Sequence, residues 1–193
     1  MTKPTFNNTP NEVFRMRYDT NDKGRISVDY WISRAPSVNG VIFAFGVEGG
    51  VRVLVVKRSK NMRDEPLKYC LPCGYLDWDE TGYEGVTREV YEETTLYLPD
   101  LEPFLVNNNC GQPFYINTDP KSNRQNVSLN YLLIFDFLDG QDFFPEEIEK
   151  HTNSEVVKVK WLKVSELHTI KNWAFNHDER IKQALKFYNK GMK

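Results

Sequence analysis

The segment REVYEET, residues 88–94, places the tightest constraint on how this chain folds. Its glutamates Glu89, Glu92 and Glu93 stand at i, i+3 and i+4, so on a helix turning about 100° per residue they share one face. Tyr83, Val86 and Val90 recur at helical spacing too, which predicts a helix from about Thr81 to Thr94 with one apolar side. The glutamates then occupy its last turn. Like charges there cost a few tenths of a kcal/mol each, and the negative end of the helix dipole adds a similar penalty. Arg88 can pair with Glu92 at i+4, but one guanidinium does not neutralise three carboxylates. A solvated acidic face is the alternative for any Glu-rich helix. A hard divalent cation answers the charge better: carboxylate oxygens suit Mg²⁺ or Mn²⁺, and Mg²⁺ combines one or two carboxylates with water and substrate phosphate.

The rest of the chain supplies a sheet for that helix. The runs VIFAFGV (41–47) and VRVLVVKR (51–58), separated by EGG, read as a hairpin of branched and aromatic residues. Further strands are expected near QPFYIN, over VSLNYLLIFDFL (127–138) and at VVKVKW, and a closing helix over about 175–189 with Phe175, Ile181, Leu185 and Tyr188 toward the sheet. Earlier, RISVDYWISR suits a strand or an arm. Strands and helices interleave without repeats or a Gly/Ser linker, so the expected fold class is α/β (α+β). Residues 1–35 read as an N-terminal arm and 36–193 as a single layered domain.

A chain of 193 residues, 40% hydrophobic, can bury roughly 70% of its unfolded surface. Its net charge of −2 gives no broad attraction to nucleic acid or to an anionic membrane, so any phosphate binding is local. No apolar run reaches the ~18 residues that span a bilayer, and the N-terminal segment lacks the pattern of a signal peptide. Three cysteines cannot all pair. Together these features lead us to expect a cytoplasmic protein with reduced thiols.

The spacing around the glutamates is more specific. From Gly74, five residues lead to Glu80, seven more lead to Arg88, and Glu89, Val90, Tyr91, Glu92, Glu93, Thr94, Thr95 and Leu96 follow. This resembles the signature of the Nudix hydrolase superfamily. A chance match at the six fixed charged or glycine positions is on the order of one in ten million per starting point. The departure is Thr95, where the pattern has glycine; a left-handed helix end suits glycine and strains a β-branched residue.

The resemblance implies a Nudix-type α/β/α sandwich with a mixed sheet and a loop-helix-loop site. It also implies Mg²⁺-dependent hydrolysis of a nucleoside diphosphate linked to another moiety, with Mn²⁺ as a substitute. By analogy Glu89, Glu92 and Glu93 hold the metal, the Gly74 carbonyl is a further ligand, and Arg88 with Glu80 orients the carboxylates. Glu155, ahead of Trp161, fits a further acid, with Glu146, Glu147 and Glu149 as neighbours in the same loop. DPKSNRQNVSLNYL and NWAFNHDERI are similar to stretches of the ADP-ribose pyrophosphatase-like subgroup, and Pro113 lies near the position associated with ADP-ribose hydrolases. ADP-ribose, cleaved to AMP and ribose 5-phosphate, is therefore the leading substrate. A non-catalytic ADP-ribose- or nucleotide-sensing protein related to regulators of NAD metabolism is the alternative. The intact glutamates weigh against it, as does the short run after Trp161, too short for an added winged helix.

Arg58, at the end of a strand, is a candidate for substrate phosphate, as is Lys57 beside it. Trp78, Tyr75 and Tyr115 are candidates to stack on a base, with core packing as their ordinary fate. Cys70 and Cys73 form a lone CxxC, weak as a zinc signal without further ligands, and Cys110 is a third thiol. His151, His168 and His177 show no ligand spacing and read as surface or helix-end histidines, with a general-base role for His177 as the minority reading. The expected partner is a small-molecule nucleotide, and the N-terminal arm is a candidate for a homodimer contact.

Overall fold

A computed structural model describes residues 12–20, 24–32, 35–45, 50–107, 109–119, 126–137 and 155–191. Glu146, Glu147, Glu149 and His151 lie outside them. The chain divides into two units, Met1–Ala35 and Pro36–Lys193. In the first, β1 (Glu12–Thr20) and β2 (Gly24–Ile32) pair antiparallel from Glu12↔Ile32 to Thr20↔Gly24. The strand expected in RISVDYWISR is thus β2, and β1 is a partner that the sequence did not announce.

The second unit is built on β3 (Pro36–Phe45), which pairs in parallel with β8 (Val127–Asp136) over their full lengths. Between them in sequence come β4 (Arg52–Arg58), β5 (Tyr69–Cys70), β6 (Cys73–Tyr75), helix α1 (Gly82–Thr94) and β7 (Tyr115–Asn117). After β8 follow β9 (Val156–Lys163) and helix α2 (His177–Gly191). The seven strands form one mixed sheet in the order β5-β4-β3-β8-β7, with β6 also on β3 and β9 also on β4. The expected hairpin is present, its strands meeting at Phe43↔Val53 and Ala44↔Arg52.

The run VIFAF is apolar throughout because both faces of β3 are covered. Side chains alternate across a strand. Val38, Ile42 and Ala44 pack with Val86 and Val90 of α1, while Val41 and Phe43 pack with Ile181 and Ala184 of α2. Burying each such valine or isoleucine contributes on the order of 1.5–3 kcal/mol. The two helices are therefore fixed to opposite faces of one sheet. Among the described residues, no helix is long and apolar enough to cross a membrane.

The ends of α1 are set locally. Thr81 caps it: its Oγ1 accepts from the Glu84 N–H at 3.3 Å, and the Glu84 carboxylate accepts from the Thr81 N–H at 2.7 Å. Such a reciprocal box satisfies two amides that the helix itself cannot. At the other end Thr95 takes φ 64°, ψ 3°, and its N–H donates to the Tyr91 carbonyl at 2.8 Å. The chain thus makes the left-handed exit with a β-branched residue. The closing helix begins later than the sequence suggests, at His177, because Phe175 and Asn176 both have φ 56°. Phe175 therefore precedes the helix and belongs to the wall of a cleft described below.

Left-handed backbone costs a non-glycine residue roughly 1–2 kcal/mol, partly offset in glycine by its greater unfolded-state freedom. Thr95→Gly should therefore raise the thermal midpoint by about 2–4 °C in a chain of this size. Calorimetry of the variant checks this, and an unchanged or lowered midpoint would show that the 2.6 Å Thr95 hydroxyl bond to the Thr94 carbonyl already offsets the strain.

Candidate active site

The N-terminal residues of β3 and β8, the C-terminal end of β4, strand β6 and the residue before β9 border a cleft of about 900 Å³. One side of it is acidic. Arg88 lies at its centre and uses its guanidinium as a fork: Nε and Nη2 donate to the two Glu80 carboxylate oxygens at 2.9 and 2.7 Å. Nη1 donates to Glu89 Oε1 at 2.8 Å and Glu92 Oε2 at 3.1 Å, and Nη2 also reaches the Tyr75 carbonyl at 3.0 Å. Bidentate charge-assisted pairing of this kind fixes orientation as well as energy. It holds the Glu80 carboxyl below the usual carboxylate range and the guanidinium above its own. Only an arginine has the donors to hold these five acceptor oxygens.

Glu89 and Glu93 are the buried members of the set, 9% and 3% exposed, whereas Glu92 is open to solvent. Burial pushes both carboxyls up. For Glu89 the rise is opposed by Arg88 and reinforced by the charges of Glu92 and Glu155; for Glu93 the rise is larger, with Cys73 and Glu89 adding to it. The Cys73 N–H donates to Glu93 Oε2 at 3.1 Å, which aims that carboxylate at the start of β6. Gly74 follows, and a Cβ there would overlap the Glu89 carboxylate, so any larger residue would push that carboxylate from its place on Arg88. Glu89 and Glu92 thus share the Arg88 guanidinium at the cleft, and Glu93 stands behind them on the Cys73 amide. Their carboxylates offer hard oxygens of the kind Mg²⁺ or Mn²⁺ prefers.

Basic and aromatic residues line the cleft as well. Arg58, 7% exposed, donates from Nε to the Asp64 carbonyl at 3.1 Å and lays its guanidinium 5.0 Å from the Phe175 ring centre. Arg63, Lys68, Trp173, Phe175 and His177 line the cleft with it. Lys68 pairs with Glu65.

Of the residues singled out from the sequence, Gly74, Arg88, Glu89, Glu92, Glu155, Arg58 and Tyr75 line the cleft. Glu80 and Glu93 stand directly behind them through Arg88 and Cys73. Trp78 and Tyr115 are not among the lining residues. Trp78 is 87% exposed in the turn after β6, and the Tyr115 ring lies under the Arg180 guanidinium at 4.9 Å. Lys57 stands over the Tyr69 ring at 5.8 Å. The sequence reading missed Trp173, Asn176 and the polar residues Ser37, Asn39 and Ser128 on the cleft floor. Their signal was visible: Ser and Asn interrupt strands that are otherwise apolar. Asn39 Nδ2 donates to Asn130 Oδ1 at 3.1 Å, and the Ser37 and Ser128 hydroxyls lie 3.0 Å apart. The reading joined Cys70 and Cys73 as a CxxC pair but left His177 apart, whereas the fold brings the ligating atoms of all three within 4.8 Å of one another.

Comparison with known proteins agrees with this arrangement. Residues 34–184 match the NUDIX domain. The chain is 24% identical over 161 residues to a protein of Methanocaldococcus jannaschii named ADP-ribose pyrophosphatase, covering 82% of this chain and 78% of that one. Its fold resembles the NUDIX domain of Shewanella oneidensis NrtR solved with ADP ribose, at a TM-score of 0.57 and 21% identity over 81% of this chain and 90% of that one. It also resembles a bifunctional NMN adenylyltransferase/ADP ribose pyrophosphatase of Francisella tularensis solved with AMP and a manganese ion, at a TM-score of 0.59 and 20% identity. That likeness covers 80% of this chain but 42% of the larger protein. With a match spanning most of its length and the glutamate helix in place beside a cleft, the chain belongs to the NUDIX domain family.

Proposed function

We propose that this protein hydrolyses the pyrophosphate bond of a nucleoside diphosphate linked to a second group, with ADP-ribose as the leading substrate and AMP and ribose 5-phosphate as products. The observation that carries the reading is that carboxylates and cations line one cleft together: Glu89, Glu92 and Glu155 with Arg58, Arg63 and Lys68. The volume falls within the range of small-ligand sites. A diphosphate needs cations on every side, and the guanidinium at Arg58 supplies one from the protein.

Glu89, Glu92 and Glu93, with the Gly74 backbone beside them, are the residues that would hold Mg²⁺ or Mn²⁺. Such an ion neutralises phosphate charge and lowers the pKa of bound water. The chain's own residues do the remaining work. Arg88 keeps Glu89 and Glu92 oriented. Glu155, which lines the cleft, is the acid assigned here to accept the proton of an attacking water. Arg58, backed by Phe175, binds phosphate oxygens. The similarity to a protein named ADP-ribose pyrophosphatase supports the choice of substrate, and the retained carboxylates favour hydrolysis over sensing alone.

Incubation with ADP-ribose and Mg²⁺ should release AMP and ribose 5-phosphate, identified by chromatography, and a chelator should stop the release. Binding without products would establish the sensing role instead. Glu92→Gln should lower turnover by about 10²-fold or more.

Glu93→Gln separates stability from activity. The Glu93 carboxyl is raised in the folded state, so the folded protein holds a proton that the unfolded chain releases. Metal-free stability from this group is present below the unfolded pKa and is lost as pH rises through that value toward the folded one. Glutamine removes the loss and can still accept the Cys73 N–H bond. The metal-free variant should melt at least a few degrees higher than the parent at neutral pH, converge with it in acid, and lose turnover about 10²-fold. Thermal melts across pH check the first part, and a variant less stable than the parent at neutral pH would contradict it.

A further inference from the structure

Cys70 ends β5, Cys73 opens β6 and His177 opens α2. Two neighbouring short strands and a helix more than a hundred residues further on thus place two thiols and an imidazole within 4.8 Å of one another. Cys70 is fully buried and His177 is 4% exposed, while Cys73 is half-buried. Cys73 and His177 line the cleft, so the cluster opens toward solvent on that side.

The backbone around the cluster is fixed. The Leu71 N–H donates to His177 Nδ1 at 3.0 Å, and the His177 N–H donates to the Ala174 carbonyl at 3.0 Å. The Ala174 N–H in turn reaches the Tyr69 carbonyl at 2.8 Å, and Gly40 holds the Pro72 carbonyl at 3.0 Å. The Cys73 N–H contacts the Glu93 carboxyl.

We propose that Cys70, Cys73 and His177 form a site for a thiophilic divalent cation of the zinc type, separate from the carboxylate site. Thiolate and imidazole are the ligands that select Zn²⁺ over Mg²⁺, and the carboxylates of α1 show the reverse preference. Tetrahedral zinc, with Zn–S about 2.3 Å and Zn–N about 2.0–2.1 Å, sets its ligand atoms roughly 3.5–3.8 Å apart. The present spacing closes to that with side-chain movements of about an ångström. Three protein ligands leave a fourth position, which the cleft side of the cluster can fill with water. The ion would tie β5, β6 and α2 together beside Glu93.

Ligation has a signature in the Leu71 amide. Binding through Nδ1 displaces the Leu71 N–H. Binding through Nε2 puts the ring proton on Nδ1, where it opposes the same N–H. Either way that hydrogen bond is exchanged for the metal bond.

The test is titration of reduced, metal-free protein with Co²⁺ in excess Mg²⁺, which occupies the carboxylates. The expected result is one equivalent of Co²⁺ bound with a thiolate-to-cobalt charge-transfer band, displaced by Zn²⁺. Cys70→Ser and Cys73→Ser should lose the band and His177→Gln should shift it. Cys110→Ser, which removes the third free thiol, should leave it intact. On Zn²⁺ addition, the Leu71 amide resonance should move. The wild-type titration decides without any variant: no charge-transfer band refutes the site. A band that His177→Gln leaves unchanged, or a stationary Leu71 amide, refutes the three-residue ligand set. None of these readouts uses nucleotide hydrolysis, so their failure leaves the proposed function standing.

Discussion

Everything at the acidic end of the cleft depends on the Arg88 guanidinium. Without it, α1 would present carboxylates at successive turns to one another and to the unfavourable end of its own dipole. The fork turns repulsion into a fixed array by binding Glu80, Glu89 and Glu92 together and tying them to the Tyr75 carbonyl of β6. One side chain thereby couples the loop, the helix and the strand. It leaves the array short of positive charge, since Glu93 is held by an amide and not by a cation within that fork.

Such an array is stable only if the helix cannot drift. The two-sided sheet provides this. Val86 and Val90 pack on one face of β3, and Ile181 and Ala184 hold the other, so both helices are referenced to the same strand. The parallel pairing of β3 with β8 then sets Ser37 and Asn39 beside Ser128 and Asn130 on the floor. A slip of one residue would exchange the two faces. The buried Asn39–Asn130 hydrogen bond penalises that slip further, because an unpaired amide in the core is costly.

The helix and its box were legible in the sequence because their geometry is local. One helical period places Glu89, Glu92 and Glu93, and one short loop brings Gly74 and Glu80 to them. The hairpin of β3 and β4 and the apolar runs were legible for the same reason. The aromatic wall was not. Trp173 reaches the cleft through a parallel bridge to Tyr69, and Phe175 reaches it through left-handed backbone that no propensity indicates for phenylalanine. Trp78 and Tyr115 looked equally suitable because any aromatic ring can stack on a base. Only the fold tells which rings face the cleft. The Cys70, Cys73 and His177 cluster was hidden for a similar reason: its third member comes from a helix start more than a hundred residues away.

The costly features of this chain lie around the cleft. Glu93 is a buried carboxyl whose rise from burial the Arg58 charge offsets only in part, and Phe175 and Asn176 hold left-handed conformations before α2. Left-handed backbone costs roughly 1–2 kcal/mol per residue and persists only where surrounding contacts over-determine it. For Phe175 those contacts are the Arg58 guanidinium against its ring and the chain of amide bonds from Tyr69 through Ala174 to His177. The same ring contact, with the Asp64 carbonyl that accepts from Arg58 Nε, holds Arg58 in the cleft lining, so the strained backbone and the placing of this cation are one structural arrangement.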